Sequence, residues 1–177
     1  MISRDTFERF FIILASAYLA LYCYAQYVPY SLAWNITASI PKGLYFARSA
    51  QGQVLERGQI ACFNYEAPSW AQPRHYFPHN FQLCKPIAAL PGDEVARQDD
   101  TLLVKRYGAS KWEPLAVFGK SDSAGRPLPQ DALTGGEIAR GQYLLVAPAH
   151  ANSLDSRYLG PVGRERITRT LIPLITW

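Results

Sequence analysis

The stretch Phe10-Phe11-Ile12-Ile13-Leu14-Ala15-Ser16-Ala17-Tyr18-Leu19-Ala20-Leu21-Tyr22-Cys23-Tyr24-Ala25-Gln26-Tyr27-Val28 decides how this chain is laid out. It carries no formal charge, and Gln26 is its only strongly polar side chain. As a helix, such a run is about the length that spans ~30 Å of hydrocarbon. Tyr24, Tyr27, Tyr30 and Trp34 gather at its C-terminal end, where amphipathic rings settle at headgroup level. A cleaved signal peptide normally opens on a clear basic region, whereas Arg4 and Arg9 are offset here by Asp5 and Glu8. The run therefore reads as an uncleaved transmembrane anchor over residues 10–28, behind a short tail of residues 1–9. Charge leaves its orientation open, because Arg4 and Arg9 are matched by Lys42 and Arg48 on the other side.

Beyond Pro29 the pattern changes to short strand-like pieces broken by Gly and Pro. Residues 44–47, 59–63, 85–90, 101–104, 142–146 and 166–172 have strand length and composition. None of the remaining sequence shows a convincing stripe of period 3.6. The expected fold is mainly β, an antiparallel barrel or folded sheet behind one N-terminal transmembrane helix. Residues 29–95 and 141–177 would form the β-rich domain. Residues 96–140, with the polar block Ser121-Asp122-Ser123-Ala124-Gly125-Arg126-Pro127, read as an inserted hairpin subdomain. The loop of residues 67–80, with Pro68, Pro73 and Pro78, either lines a substrate groove or caps the sheet.

Composition agrees with this division. With 177 residues, 49% of them hydrophobic and only 18% charged, the chain can bury one core plus one membrane segment, and two large domains would not fit. The net charge of +4 suits an anionic lipid surface; the basic residues are scattered without a Lys/Arg run, which argues against nucleic acid as a partner.

Two short runs carry candidate chemistry. A serine hydroxyl is a poor nucleophile at neutral pH and needs a base within hydrogen-bond reach; lysine can be that base only when burial removes its proton. In Leu83-Cys84-Lys85-Pro86-Ile87-Ala88-Ala89-Leu90, strand alternation would surround the Lys85 amine with apolar neighbours and no carboxylate. An exposed strand lysine with a snorkelling stem is an equally good reading of that run alone. Ser39 is flanked by Thr37 and by Pro41-Lys42-Gly43. A turn there would present the hydroxyl, with the Ser39 N–H and the Thr37 hydroxyl aimed at a developing oxyanion. Taken alone, such a Thr-x-Ser is an ordinary solvated turn.

Taken together, three boxes in order resemble the serine-lysine signal peptidases of membranes, in the branch that processes pilin for conjugative transfer. They are Thr37 to Tyr45, Lys85 to Asp93 with its Leu-Pro-Gly-Asp, and Asn152 to Gly160 with Ser153 and Asp155-Ser156-Arg157. Ile40 stands where general signal peptidases usually have methionine, and Ala149-His150-Ala151-Asn152 replaces their Gly-Asp-Asn. The resemblance implies a signal-peptidase-like β fold, with Ser39 as nucleophile and Lys85 as general base. Thr37 and the Ser39 N–H would be oxyanion donors, Ser153 would orient the lysine, and Asp155 with Arg157 would brace the site. Gly92-Asp93 would close the lysine strand. It further implies a bacterial inner-membrane enzyme whose catalytic domain faces the periplasm. Its substrate would be a prepilin or other secreted precursor, its neighbours the bilayer and components of a conjugative type IV secretion channel; no cofactor or metal is implied. Release would occur by water or by ring closure of the pilin. The rivals are a general leader peptidase and a non-enzymatic assembly factor of the channel.

Two further constellations compete for the same residues. His150 lies near Asp155, so a Ser39-His150-Asp155 triad is the alternative to the lysine. Cys62, His75, His79 and Cys84 make a weak zinc set, since Pro78 interrupts any helix there and no Cys-x-x-Cys knuckle is present. In an oxidising compartment Cys62 and Cys84 would either stay free or pair across strands, with Cys23 left in the membrane segment.

Overall fold

The fold is known from a computed structural model, which describes residues 4–27, 30–78 and 80–177. It divides into two compact units, residues 1–31 and 32–177. The first is dominated by helix α1 (Arg4–Tyr27). At 1.5 Å per residue its 24 residues extend about 36 Å, and the span Asp5–Ala25, of mean hydropathy 1.4, is long and apolar enough to cross a membrane. Its described side chains are exposed on every face, so its apolar surface has no protein core to enter. As described from Arg4, the helix takes in most of the expected tail, and Asp5 in its first turn complements the N-terminal end of the helix dipole. Val28, the last residue of the expected anchor, lies outside the described residues.

The second unit is built on two antiparallel sheets. The larger has the order β1-β2-β11-β3-β4-β9-β10. Its strands are β1 (Tyr30–Asn35), β2 (Gly43–Ser49), β3 (Ile60–Asn64), β4 (Gln82–Ala89), β9 (Gln142–Leu145), β10 (Val162–Gly163) and β11 (Ile167–Thr176). The smaller has the order β7-β6-β5-β8, from β5 (Glu94–Gln98), β6 (Thr101–Lys105), β7 (Trp112–Val117) and β8 (Gly135–Glu137). A single helical turn, α2 (Ser156–Leu159), precedes β10.

Alternation explains the central strands. In β4, Leu83, Lys85 and Ile87 are buried while Gln82, Cys84 and Pro86 are only partly covered. The register with β3 sets Lys85 opposite Ala61 and Cys84 opposite Cys62. One apolar cluster fills the space between the sheets, with Val95, Leu102 and Val104 from the smaller meeting Ala88, Leu144 and Val146 from the larger. The smaller sheet thus shares the core of the unit that carries the boxes. The strand order of the larger sheet is open, running from β1 at one edge to β10 at the other.

Candidate active site

Ser39 sits in the turn between β1 and β2, and that turn is wound around one side chain. Asn35, the last residue of β1, donates through Nδ2 to the carbonyls of Thr37 (2.8 Å), Ile40 (3.1 Å) and Pro41 (3.0 Å). Its Oδ1 accepts from the Thr37 N–H (3.2 Å) and the Thr37 hydroxyl (2.7 Å). An asparagine that satisfies its own loop in this way is an extended Asx turn. Tyr45 donates to the Pro41 carbonyl from below. Gly43 then enters β2 at φ +148°, where an added Cβ would stand 2.1 Å from the Ile175 carbonyl oxygen of β11. The Pro41-Lys42-Gly43 sequence therefore serves a close backbone approach.

Ser39 and Lys85 line one cavity of about 470 Å³, together with Thr37, Ser153, Cys62 and Cys84. Lys85 is 5% exposed, beside Leu83 and Ile87 on its face of β4. Burial pulls its pKa down from 10.5 to about 8; the Asp155 carboxylate pushes it up and the Arg157 guanidinium pulls it down again. A carboxylate is therefore within electrostatic reach of the amine, contrary to the sequence expectation, but its charge is opposed by the adjacent guanidinium. Desolvation decides the outcome.

Asp155 and Arg157 are both fully buried. Arg157 donates Nε to Oδ1 (2.9 Å) and Nη2 to Oδ2 (2.8 Å) of Asp155, a two-pronged pair. Its remaining donors reach the carbonyls of His150 (2.6 Å) and Val117. Asp155 also caps α2 by accepting from the Arg157 N–H (3.1 Å) and holds the Ala147 N–H (3.0 Å) past the end of β9. The third box is thereby stitched to both sheets. The Ser153 hydroxyl, buried on the same cavity, has no hydrogen-bond partner among the described residues.

The Thr37 hydroxyl stands 3.5 Å from the Ser39 hydroxyl, but its own proton goes to Asn35. As an oxyanion donor it would first have to turn away from that partner. The Asp93 carboxylate after β4 accepts from the Leu90 N–H (2.7 Å), the Tyr107 N–H (2.9 Å) and Arg57. Burial alone would raise its pKa, yet these donors hold it below the usual carboxylate range.

The competing constellations do not assemble. His150 is exposed and absent from the cavity lining, while both Asp155 oxygens are taken by Arg157 and backbone N–H groups. The sulphurs of Cys62 and Cys84 lie 2.05 Å apart as a disulfide, which removes both thiols from a zinc set; His79 lies outside the described residues. Among the described residues no cluster of three or more His, Cys, Asp or Glu could hold a metal ion. Cys23 is free and exposed. One feature escaped the sequence reading: Asn35 organises the serine turn, and an Asn two residues before a Thr at a strand end was the signal. Of the two readings left open for the loop of residues 67–80, the groove is favoured, since Phe77 lines the cavity together with Phe81 just beyond the loop.

Comparison with known proteins defines the class. The family model "Signal peptidase, peptidase S26" matches residues 3–175, so the chain belongs to the signal peptidase family, whose members are serine peptidases. It is similar to the plasmid transfer protein TraF of Escherichia coli, 33% identical over 152 residues that cover 81% of this chain and 82% of that one. It is also similar to signal peptidase I V of Bacillus subtilis, 33% identical over 95 residues, or 51% of this chain and 55% of the relative. A crystal structure of a signal peptidase I from Enterococcus faecalis aligns at 21% identity with a TM-score of 0.36, covering 65% of this chain and 94% of its own; a likeness that low adds nothing to the family assignment.

Proposed function

We propose that this chain is a membrane-anchored serine endopeptidase in which Lys85 is the general base for Ser39, and that it matures a conjugative prepilin. The observation that carries the reading is Lys85, 5% exposed and with its pKa lowered by burial to about 8, on the cavity that also holds Ser39. A neutral amine is a meaningful fraction of the population at such a pKa, whereas an exposed lysine would offer almost none.

In this reading the precursor lies extended along the cavity and adds main-chain hydrogen bonds to a strand edge. The Ser39 Oγ attacks the scissile carbonyl and its proton passes to the Lys85 Nζ. The tetrahedral oxyanion is met by the Ser39 N–H and by Thr37 once its hydroxyl leaves Asn35. Collapse breaks the C–N bond, Lys85 returns the proton to the leaving amine, and an acyl-ester on Ser39 remains. The amino terminus of the same pilin then attacks the ester, loses its proton to Lys85, and closes a head-to-tail ring as the Ser39 hydroxyl is restored. Ser153, with its hydroxyl otherwise unpartnered, orients the lysine amine, and the Asp155–Arg157 pair keeps the base and its strand in place.

The likeness to a plasmid transfer protein over four fifths of both chains supports the conjugative assignment. The partial likeness to a signal peptidase I supports a second reading, general leader peptidase, in which water releases the acyl group. A bacterial inner-membrane location with the catalytic unit in the periplasm is supported by α1 and by the disulfide, which needs an oxidising compartment. The bilayer as a neighbour is supported by Trp34 and Trp177, both about two-thirds exposed with rings 5.6 Å apart.

Intact mass of the candidate pilin made with and without this protein tests the proposal. A Ser39-dependent product one water lighter than the linear processed form is expected. A linear product would move the assignment to leader peptidase, and normal maturation with Ser39→Ala would remove the catalytic role.

A further inference from the structure

Residues 67–78 of the proline-rich loop form a braced arm. It turns at Pro68, whose carbonyl accepts from the Ala71 N–H (2.8 Å), passes a single 3-10 turn (Gln72–Arg74) and reverses at His75, φ +49°. Phe77 then stacks on Phe81 with ring centres 4.7 Å apart and planes 10° from parallel. Phe77 and buried Tyr65 meet edge to face, with ring centres 5.6 Å apart. Both phenylalanine rings line the cavity that holds Ser39 and Lys85. Phe81 precedes Lys85 by four residues, about 13 Å of extended chain. A precursor strand following β4 away from Lys85 would bring its fourth or fifth residue to these rings.

Phe81 is 43% exposed, and a stacked pair at such a surface contributes too little by itself to hold an arm of this length. The smaller sheet supplies the rest. Asp122, on the connection between β7 and β8, is pinned within its own loop by the N–H groups of Ala124 and Arg126 (2.9 Å each) and by Arg126 Nε (2.7 Å). Its second oxygen accepts the Tyr76 hydroxyl at 2.6 Å. Arg74 donates to that hydroxyl (3.1 Å) and to the Pro127 carbonyl (2.8 Å), and its guanidinium lies 5.0 Å from the Trp70 ring. Arg126 covers the Tyr76 ring at 5.2 Å. Scattered surface ion pairs are worth little, but this carboxylate is nearly buried and fully engaged, so the arm has a fixed anchor immediately before Phe77.

We propose that Phe77 and Phe81 form a specificity-determining wall of the substrate groove, which takes a bulky apolar side chain four or five residues from the scissile bond, and that Tyr76 and Asp122 are positioning residues that hold this wall. The inference rests on the peptidase reading above. It gives the inserted sheet a share in substrate choice without a share in the chemistry.

The test uses the full chain in detergent and a series of precursor peptides that carry Leu or Ser at each of the five residues on either side of the cut. Wild type should prefer Leu at one position, four or five residues away, by roughly tenfold in kcat/KM, the scale of an apolar pocket contact. Phe77→Ala and Phe81→Ala should abolish that preference, and Phe77→Leu should keep most of it. Tyr76→Phe and Asp122→Asn should raise KM for the Leu peptide roughly three- to tenfold with kcat within about twofold, the signature of lost binding rather than lost chemistry. Equal losses on the Leu and Ser peptides, or a preference no variant alters, would overturn the inference. Exposed Phe81 provides a variant that folds even where the Asp122 change proves disruptive. Wild-type cutting that depends on Ser39 but shows no preference at that distance defeats this inference alone; precursor left uncut by wild type, or cut undiminished by Ser39→Ala, defeats the peptidase reading and this inference with it.

Discussion

Lys85 governs how this protein should respond to pH, at the scale of one residue. With its pKa lowered by burial to about 8, the amine is mostly protonated at neutral pH and mostly neutral one unit above that value. The acylation rate should therefore climb about tenfold per pH unit below 8 and level off beyond it, as read by single-turnover cleavage. Stability follows the same group. Its folded pKa lies below the unfolded one, so the folded state bears the full cost of the buried charge below pH 8 and sheds it as pH rises toward 10.5. Lys85→Met should accordingly stabilise the fold at pH 7 by up to about 3 kcal/mol, with the margin vanishing near pH 10.5, measured by urea unfolding. The opposite is expected at the brace: Arg157→Met leaves Asp155 buried without its partner and should cost about 3–5 kcal/mol. Ser39 and Lys85 could be singled out from the sequence only because they fall in short boxes whose order resembles the signal peptidases, and the structure sets both on one cavity. Asn35 offered a fainter signal, its place two residues before Thr37 at a strand end, since its importance lies in three carbonyls that reach it only after the turn has closed.

At the scale of elements, β3 and β4 are held by the disulfide as well as by their ladder. The bridge spans 22 residues of sequence and ties the strand of Lys85 to its neighbour. Replacing both Cys62 and Cys84 by Ala should lower stability by about 3 kcal/mol on loop-closure grounds, visible as a fall in the urea midpoint in the absence of reductant. The serine turn depends in the same way on Gly43. An alanine there meets the Ile175 carbonyl, and the resulting shift of β2 against β11 should depress both Tm and the cleavage rate. Strand length and composition revealed the central strands in the sequence, but β1, β5, β7, β8 and β10 were not among the strands expected. β7 contains Pro114 and charged Glu113, β8 is Gly135-Gly136-Glu137, and β1 reads as an aromatic linker behind a membrane segment. Such segments are strands because a neighbour's ladder recruits them, and their own composition is silent. The helical turn α2 is likewise set by the Asp155 cap rather than by any periodicity.

For the whole molecule, α1 is the part whose fate depends on surroundings rather than on packing. Leu14→Arg together with Leu19→Arg would place two charges near its middle, each costing about 2.5–3.5 kcal/mol in a membrane, and should move the protein from the membrane pellet to the soluble fraction on alkaline extraction. The sequence by itself determined that there would be an apolar span and a β-rich unit, because hydropathy and strand alternation are written locally along the chain; which serine and lysine to watch came from the resemblance of three ordered boxes. Only the tertiary structure decided that Lys85 is desolvated while Asp155 is neutralised by Arg157, that His150 stays outside the cavity, and that a loop of the smaller sheet grips the arm bearing Phe77. Charge burial and cavity lining are properties of groups brought together from distant strands, and no local pattern of residues encodes them.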